Sequence, residues 1–244
     1  VTVRQAIPLL GAALALAPAF KMKFWNIGAE GQIMVGGIAA TYFALFWFDK
    51  LPKPALLLVM ALAAIVAGGL WGLVPAFFKA KWGTNETLFT LMLNYIALGI
   101  ESYLQNGPWK DPKGTGFPII AMFDQNARLP KVGGVHAGWI VVLILTVGMF
   151  VYMRYSKQGY EISVVGESVR TARYAGMNVA KIVMRTMFLS GAVAGLMGFL
   201  VVSGADYTLN NGTSGGVGVT AIIFACLAHL NPFAMILIAG LLAI

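Results

Sequence analysis

The residues best suited to polar chemistry lie in Phe24-Trp25-Asn26-Ile27-Gly28-Ala29-Glu30-Gly31-Gln32. A carboxylate and two amides sit at the mouth of an apolar run, so the chemistry on offer is hydrogen bonding and charge stabilisation, not bond making. A carboxylate at membrane depth is costly unless it faces water or a protein interior. Gly28 and Gly31 permit a tight turn or a close helix contact around it. Two readings follow. Asn26, Glu30 and Gln32 line the path of a polar solute, or its gate. Alternatively, Glu30 caps a helix or pairs with a neighbouring one, since a first-turn carboxylate is favoured by the helix dipole. Further on, Asn94 and Tyr95 lie within Leu91-Met92-Leu93-Asn94-Tyr95-Ile96. An asparagine in mid-span must find a partner, either another helix or a polar solute. The helix carrying it has its start signal in Thr84 or Asn85, with Glu86 or Thr87 in the first turn.

The stretch Gly159 to Asn178 reads as a short amphipathic helix between two spans. Val165, Val169, Ala172 and Ala175 can form its apolar stripe, leaving Glu167, Arg170, Arg173 and Tyr174 for an aqueous partner. It either lies on lipid headgroups or docks into a groove on another protein. The Gly/Asn-rich stretch 203–218 is not a phosphate loop, because Gly212-x5-Gly218 is not followed by Lys-Ser/Thr. It reads as a flexible loop feeding a half-helix whose N-terminus could face solute. His136 and His229 lack the spacing of a metal site, so no metal centre and no catalytic residue are expected in this chain. No intramembrane carboxylate pair suggests a proton relay. Cys226 is the single cysteine, so no internal disulfide can form.

These residues need elements that span a bilayer. Of 244 residues, 59% are hydrophobic and 11% charged, against about 25% charged in soluble domains. Apolar segments are expected at about 6–20, 31–48, 55–78, 87–104, 137–153, 186–203 and 219–244, the last broken at Asn231-Pro232. A polar stretch covers 105–136 and a charged one 154–185. The fold class is therefore all-α: a polytopic transmembrane bundle with a broken helix near its C-terminal end. It reads as one membrane domain over 1–244, with Val1 and Ile244 falling inside apolar patterns, as in a fragment lacking helices at both ends. The chain carries 17 Lys and Arg against 9 Asp and Glu. Their scattering in short clusters between apolar runs suits loops beside a lipid bilayer, not a nucleic-acid surface. Lys21, Lys23, Lys79, Lys81 and the basic residues of 154–185 are assigned to the cytoplasm. Gly191-x3-Gly195 allows close helix approach, for packing within the bundle or at a subunit interface.

Four motifs occur in order: Asn26-Ile27-Gly28-Ala29-Glu30-Gly31-Gln32; Gly83-Thr84-Asn85-Glu86 with Leu91-Met92-Leu93-Asn94-Tyr95-Ile96; Gly166-Glu167 with Ala172-Arg173-Tyr174-Ala175-Gly176; and Ala221-Ile222-Ile223 with Leu230-Asn231-Pro232. Together they resemble the permeases of bacterial ABC importers for nucleosides and simple sugars, which belong with the ribose and branched-chain amino acid permeases. The resemblance implies a multi-pass protein of the bacterial plasma (inner) membrane. It implies a second permease subunit (the pair being a homo- or heterodimer), cytoplasmic ATP-binding subunits and an extracytoplasmic solute-binding protein. ATP and Mg²⁺ would bind the ATPase partner, leaving no cofactor in this chain. It also implies that Gly166 to Gly176, including Glu167, Arg170, Arg173 and Tyr174, form a cytoplasmic coupling helix. The rival reading is an ATP-independent secondary transporter or channel.

Overall fold

A computed structural model describes the backbone of residues 2–112, 116, 118–132 and 134–242, and the side chains of 6–241 within that range. The expectation about the two chain ends, and part of the polar stretch 105–136, lie outside the described residues.

Among the described residues ten α-helices follow in order: α1 Thr2–Lys21, α2 Ala29–Phe46, α3 Lys53–Trp82, α4 Glu86–Asn106, α5 Gly138–Tyr155, α6 Lys157–Glu167, α7 Val169–Tyr174, α8 Val179–Val201, α9 Val217–Leu227 and α10 Pro232–Leu242. The run Val179–Asp206 ends in a π-helical turn over Val202–Asp206. Four of these helices are long and apolar enough to cross a membrane: α3, α4, α5 and α8 with its π turn. α1, α9 and α10 contribute shorter apolar helices.

α8 is the axis of the bundle. Within its most apolar 18 residues 83% are buried, against 28% in α3, α4 and α5. A helix apolar all round belongs in the interior, and three glycines let its neighbours close in. A Cβ on Gly195 would fall on the Ala64 carbonyl, and one on Gly191 on the Gly68 carbonyl, both in α3; one on Gly198 would fall on the Ile33 carbonyl of α2. The small-residue spacing therefore serves packing within the chain. α3 turns its other face outward: Leu58, Leu62, Val66 and Leu70, four residues apart, are each at least half exposed, an aliphatic stripe suited to lipid.

The basic segments collect at one end. Lys21 Nζ donates to the Met153 carbonyl (3.4 Å), Lys79 pairs with Glu86 (2.6 Å) and Arg185 with Glu161 (2.8 Å). The opposite end is capped by loop segments. The Phe123 N–H donates to the Tyr207 carbonyl (2.8 Å) and the Leu129 N–H to Ser203 (2.9 Å). A short hairpin pairs β1 Lys131–Val132 with β2 Val135–His136.

Three features differ from the sequence expectation. α8 starts at 179, not 186. Asn178 caps it by accepting the Lys181 N–H (3.0 Å), and the ion pair with Glu161 lets Arg185 sit within the helix. The charged segment is two helices, not one. Ser168 is extended (φ −157°, ψ 116°), and its Oγ accepts the Thr171 N–H to begin α7. The apolar stripe expected there is also revised: Ile162, Val165 and Ala172 are buried, whereas Val169 and Ala175 are exposed. This follows from the break at Ser168, which rotates α7 relative to α6. The break near the C-terminal end falls as expected. His229 and Leu230 adopt left-handed backbone (φ 49° and 59°), and Asn231 Oδ1 accepts the Phe233 N–H to start α10 (3.1 Å).

Candidate functional site

The structure draws Asn26, Glu30, Gln32 and Asn94 into one cluster. After α1 ends, residues 22–28 run into the bundle without helix. Asn26 closes an Asx turn there, its Oδ1 accepting the Gly28 N–H (3.0 Å). Its Nδ2 donates to Gln32 Oε1 and to Ser190 Oγ, each at 3.2 Å, and Gln32 Nε2 returns to Asn26 Oδ1 (3.4 Å). All three side chains are fully buried or nearly so. Ser190 is the twelfth residue of the 28-residue run Val179–Asp206, so the cluster sits near the middle of the span.

α4 supports it from the other side. Asn94 Oδ1 accepts the Gly31 N–H (2.8 Å) while its Nδ2 donates to the Ile27 carbonyl (2.9 Å). Thr90, one turn earlier, accepts the Ile27 N–H (3.2 Å). Asn94 thus supplies both halves of a peptide-like partner to the non-helical segment, whose backbone groups would otherwise be stranded in an apolar interior. Asn85 caps α4, its Oδ1 accepting the N–H groups of Thr87 (3.0 Å) and Leu88 (3.2 Å).

Glu30 performs both structural roles that the sequence offered. It lies in the first turn of α2, and its Oε1 accepts the Gly216 N–H (2.9 Å) at the N-terminus of α9. Gly216 has no side chain to cap its own helix and holds φ 74°, so the cap comes from 186 residues away in sequence. Gly218 packs on the Glu30 backbone so closely that a Cβ would lie 2.5 Å from its nitrogen. From this meeting point α2 runs toward the capped end and α9 toward the basic end, where residues 229–232 lie beside Lys21 and Arg154. An 18-residue helix and an 11-residue one therefore oppose their N-termini across one carboxylate. The half-helix N-terminus expected to face solute is occupied here by Glu30. Replacing Glu30 with alanine removes this bond to a carboxylate, worth about 1.5–3 kcal/mol. Faster amide exchange, by at least tenfold over the first turn of α9, is the expected result in hydrogen-exchange mass spectrometry.

Sequence reasoning passed over Thr90, Ser190 and Glu101, and placed Gly216 only within the loop that feeds the half-helix. Thr90, Leu93, Asn94, Ala97 and Glu101 form the buried face of α4, and the helical spacing of its three polar members was available in the sequence. Glu101 is fully buried, with Oε1 lacking a hydrogen-bond partner. Gly212-Thr213-Ser214-Gly215-Gly216 carries the letters of a nucleophile elbow, but turns rather than a strand precede it. The strand–turn–helix setting that gives that pattern its chemistry is missing.

The second set, Gly166 to Gly176, stays apart from the first. Gly166 is buried, its Cα against the Lys21 carbonyl and the Met22 backbone. Glu167, Arg170, Arg173, Tyr174 and Gly176 are exposed, Tyr174 at 93%. None of the three charged residues forms an ion pair among the described residues. A cavity of about 770 Å³ separates this segment from the ends of α1 and α3, lined by Lys23, Lys79, Gly83, Glu167 and Arg173 among others.

The family described as branched-chain amino acid transport system / permease component matches residues 2–244. The chain is 37% identical over 251 residues to the glucose ABC transporter permease protein TsgB13 of Haloferax volcanii, covering 97% of this chain and 65% of that protein. It is 34% identical over 252 residues to the guanosine ABC transporter permease protein NupP of Bacillus subtilis, covering 99% and 70%. Its identity to the nucleoside ABC transporter permease protein NupB of Lactococcus lactis is 30% over 256 residues, covering 100% and 70%. The chain therefore spans about two thirds of the length of these relatives. No solved structure matches it. The apolar helices and these relatives make it a multi-pass plasma-membrane protein. With the match running essentially from end to end, the chain belongs to the branched-chain amino acid transport system permease family.

Proposed function

We propose that residues 1–244 act as one membrane-spanning unit of an ATP-driven ABC importer and form part of the path for a nucleoside or sugar-like solute. The observation that carries this reading is the form of α6–α7. One side is joined to the bundle through Gly166 on α1 and the Glu161–Arg185 ion pair on α8. The other presents Arg170, Arg173 and Tyr174 unpaired to solvent. A push on α7 is thereby delivered to the ends of two helices that reach the Asn26–Glu30 cluster. In this reading the basic end is cytoplasmic and α7 docks on an ATP-binding subunit, which holds ATP and Mg²⁺. A second permease completes the path, and a solute-binding protein engages the capped end. Asn26, Glu30, Gln32 and Asn94 form the mid-membrane gate, whose polar atoms are engaged with one another or with the backbone when it is shut.

The test is a detergent pull-down of the full-length permease, scored for a co-purifying ATPase. The native chain should retain it and Arg173→Glu should lose at least nine-tenths of it. Absence of an ATPase from the native pull-down would favour an ATP-independent transporter or channel.

A further inference from the structure

At the basic end, on the side facing α5 and α10, lies a second groove of about 430 Å³. Its rim carries Lys21, Arg154, Tyr160 and Asn231. Lys21 is partly buried, and its ammonium makes one long bond, 3.4 Å to the Met153 carbonyl. Arg154 lies over the Phe150 ring at 6.0 Å. Neither cation is in an ion pair among the described residues, and no carboxylate lines the groove. Asn231 has its Oδ1 engaged by the Phe233 N–H, which leaves its amide nitrogen as a donor. Tyr160, 65% exposed, adds a hydroxyl. The rim is thus rich in donors and positively charged.

The floor is different in kind. Phe150 and Pro232 line it, and Phe150 is backed by Phe233 in a tilted ring contact with centroids 4.8 Å apart. Below the floor, the exposed faces of α5 (Val147, Val151) and α10 (Leu237, Leu241) run on as uninterrupted hydrocarbon along two membrane helices. Cations at the level of a bilayer surface, set above an apolar slot, attract acidic headgroups, and long basic side chains near helix ends reach that level readily.

We propose that this groove binds an anionic phospholipid, its phosphodiester held by Lys21 and Arg154 and its acyl chains lying along α5 and α10. The apolar floor is what selects a lipid over free phosphate, which has no use for it. Such a lipid would touch the corner at His229–Asn231, where the backbone is left-handed, and so brace the break between α9 and α10.

The experiment is native mass spectrometry of the full-length permease with phosphatidylglycerol, phosphatidylcholine or inorganic phosphate added. The native protein should retain phosphatidylglycerol, and the Lys21→Gln/Arg154→Gln double variant should retain it on the order of tenfold less. A Lys23→Gln/Lys81→Gln variant, which removes the same charge outside the groove, should match the native protein. Equal retention by the two double variants would overturn the proposal, as would phosphatidylcholine binding as tightly as phosphatidylglycerol. Displacement of the lipid by inorganic phosphate alone would assign the groove to a free anion instead. A monodisperse gel-filtration profile for each variant separates loss of the site from loss of the fold.

Discussion

Replacing Gly195 with leucine is expected to abolish the native, monodisperse peak of the protein in gel filtration. Gly195 is where α8 lies directly on α3, and even a single Cβ would fall on the Ala64 carbonyl. Overpacked cores usually relax by moving side chains, at about 1–3 kcal/mol. Here the obstacle is backbone, so the two helices must separate along a seam that also includes Gly68, Gly72 and Gly191. The cost therefore exceeds about 3 kcal/mol, which is a large part of the stability of a typical domain. The matched control is Gly99→Leu, since nothing lies within 4 Å of a Cβ at that position. A Gly195→Leu protein that elutes and melts like the native one would show that α3 and α8 are not in backbone contact.

The second large effect is expected at Asn26. Asn26→Leu keeps the count and branching of heavy atoms but strands three groups: the Gly28 N–H, the Gln32 amide and the Ser190 hydroxyl. Each buried orphan costs about 1–3 kcal/mol, so a loss of at least about 3 kcal/mol is expected. Solute uptake into membrane vesicles should fall at least tenfold, together with a drop of several degrees in the thermal midpoint. Asn26→Asp retains the acceptor for Gly28 and loses the donor to Ser190, so it should fall between the two. Uptake normalised to folded protein separates the gate from mere support. If it stays at the native level in Asn26→Leu, the cluster holds the fold but does not control passage.

Much of this architecture was legible because a bilayer leaves few options. Apolar runs of sufficient length had to be helices, and Asn231-Pro232 had to interrupt one. The start of α8 was misplaced because Lys181 and Arg185 look foreign to a spanning helix until Glu161, 24 residues earlier, is seen to pair with one of them. The break at Ser168 was missed because a lone serine in a helical pattern is compatible with either outcome; its capping bond to Thr171 decides it. At the site, the residue types were legible and their partners were not. Asn94 had to bond something, but nothing local says that it bonds residues 27 and 31. Glu101 was overlooked because a carboxylate near a helix end looks solvated until the loops above it are placed.

The opposed helix starts at Glu30 have an electrical consequence. Each N-terminus carries about half a positive charge, and the carboxylate between them carries about one negative charge. The three nearly cancel, leaving the centre of the span close to neutral. A membrane potential does work on net charge that moves through it, and here little net charge is available to move. Rearrangement of α2 and α9 around Glu30 should therefore proceed at the same rate in polarised and depolarised membranes.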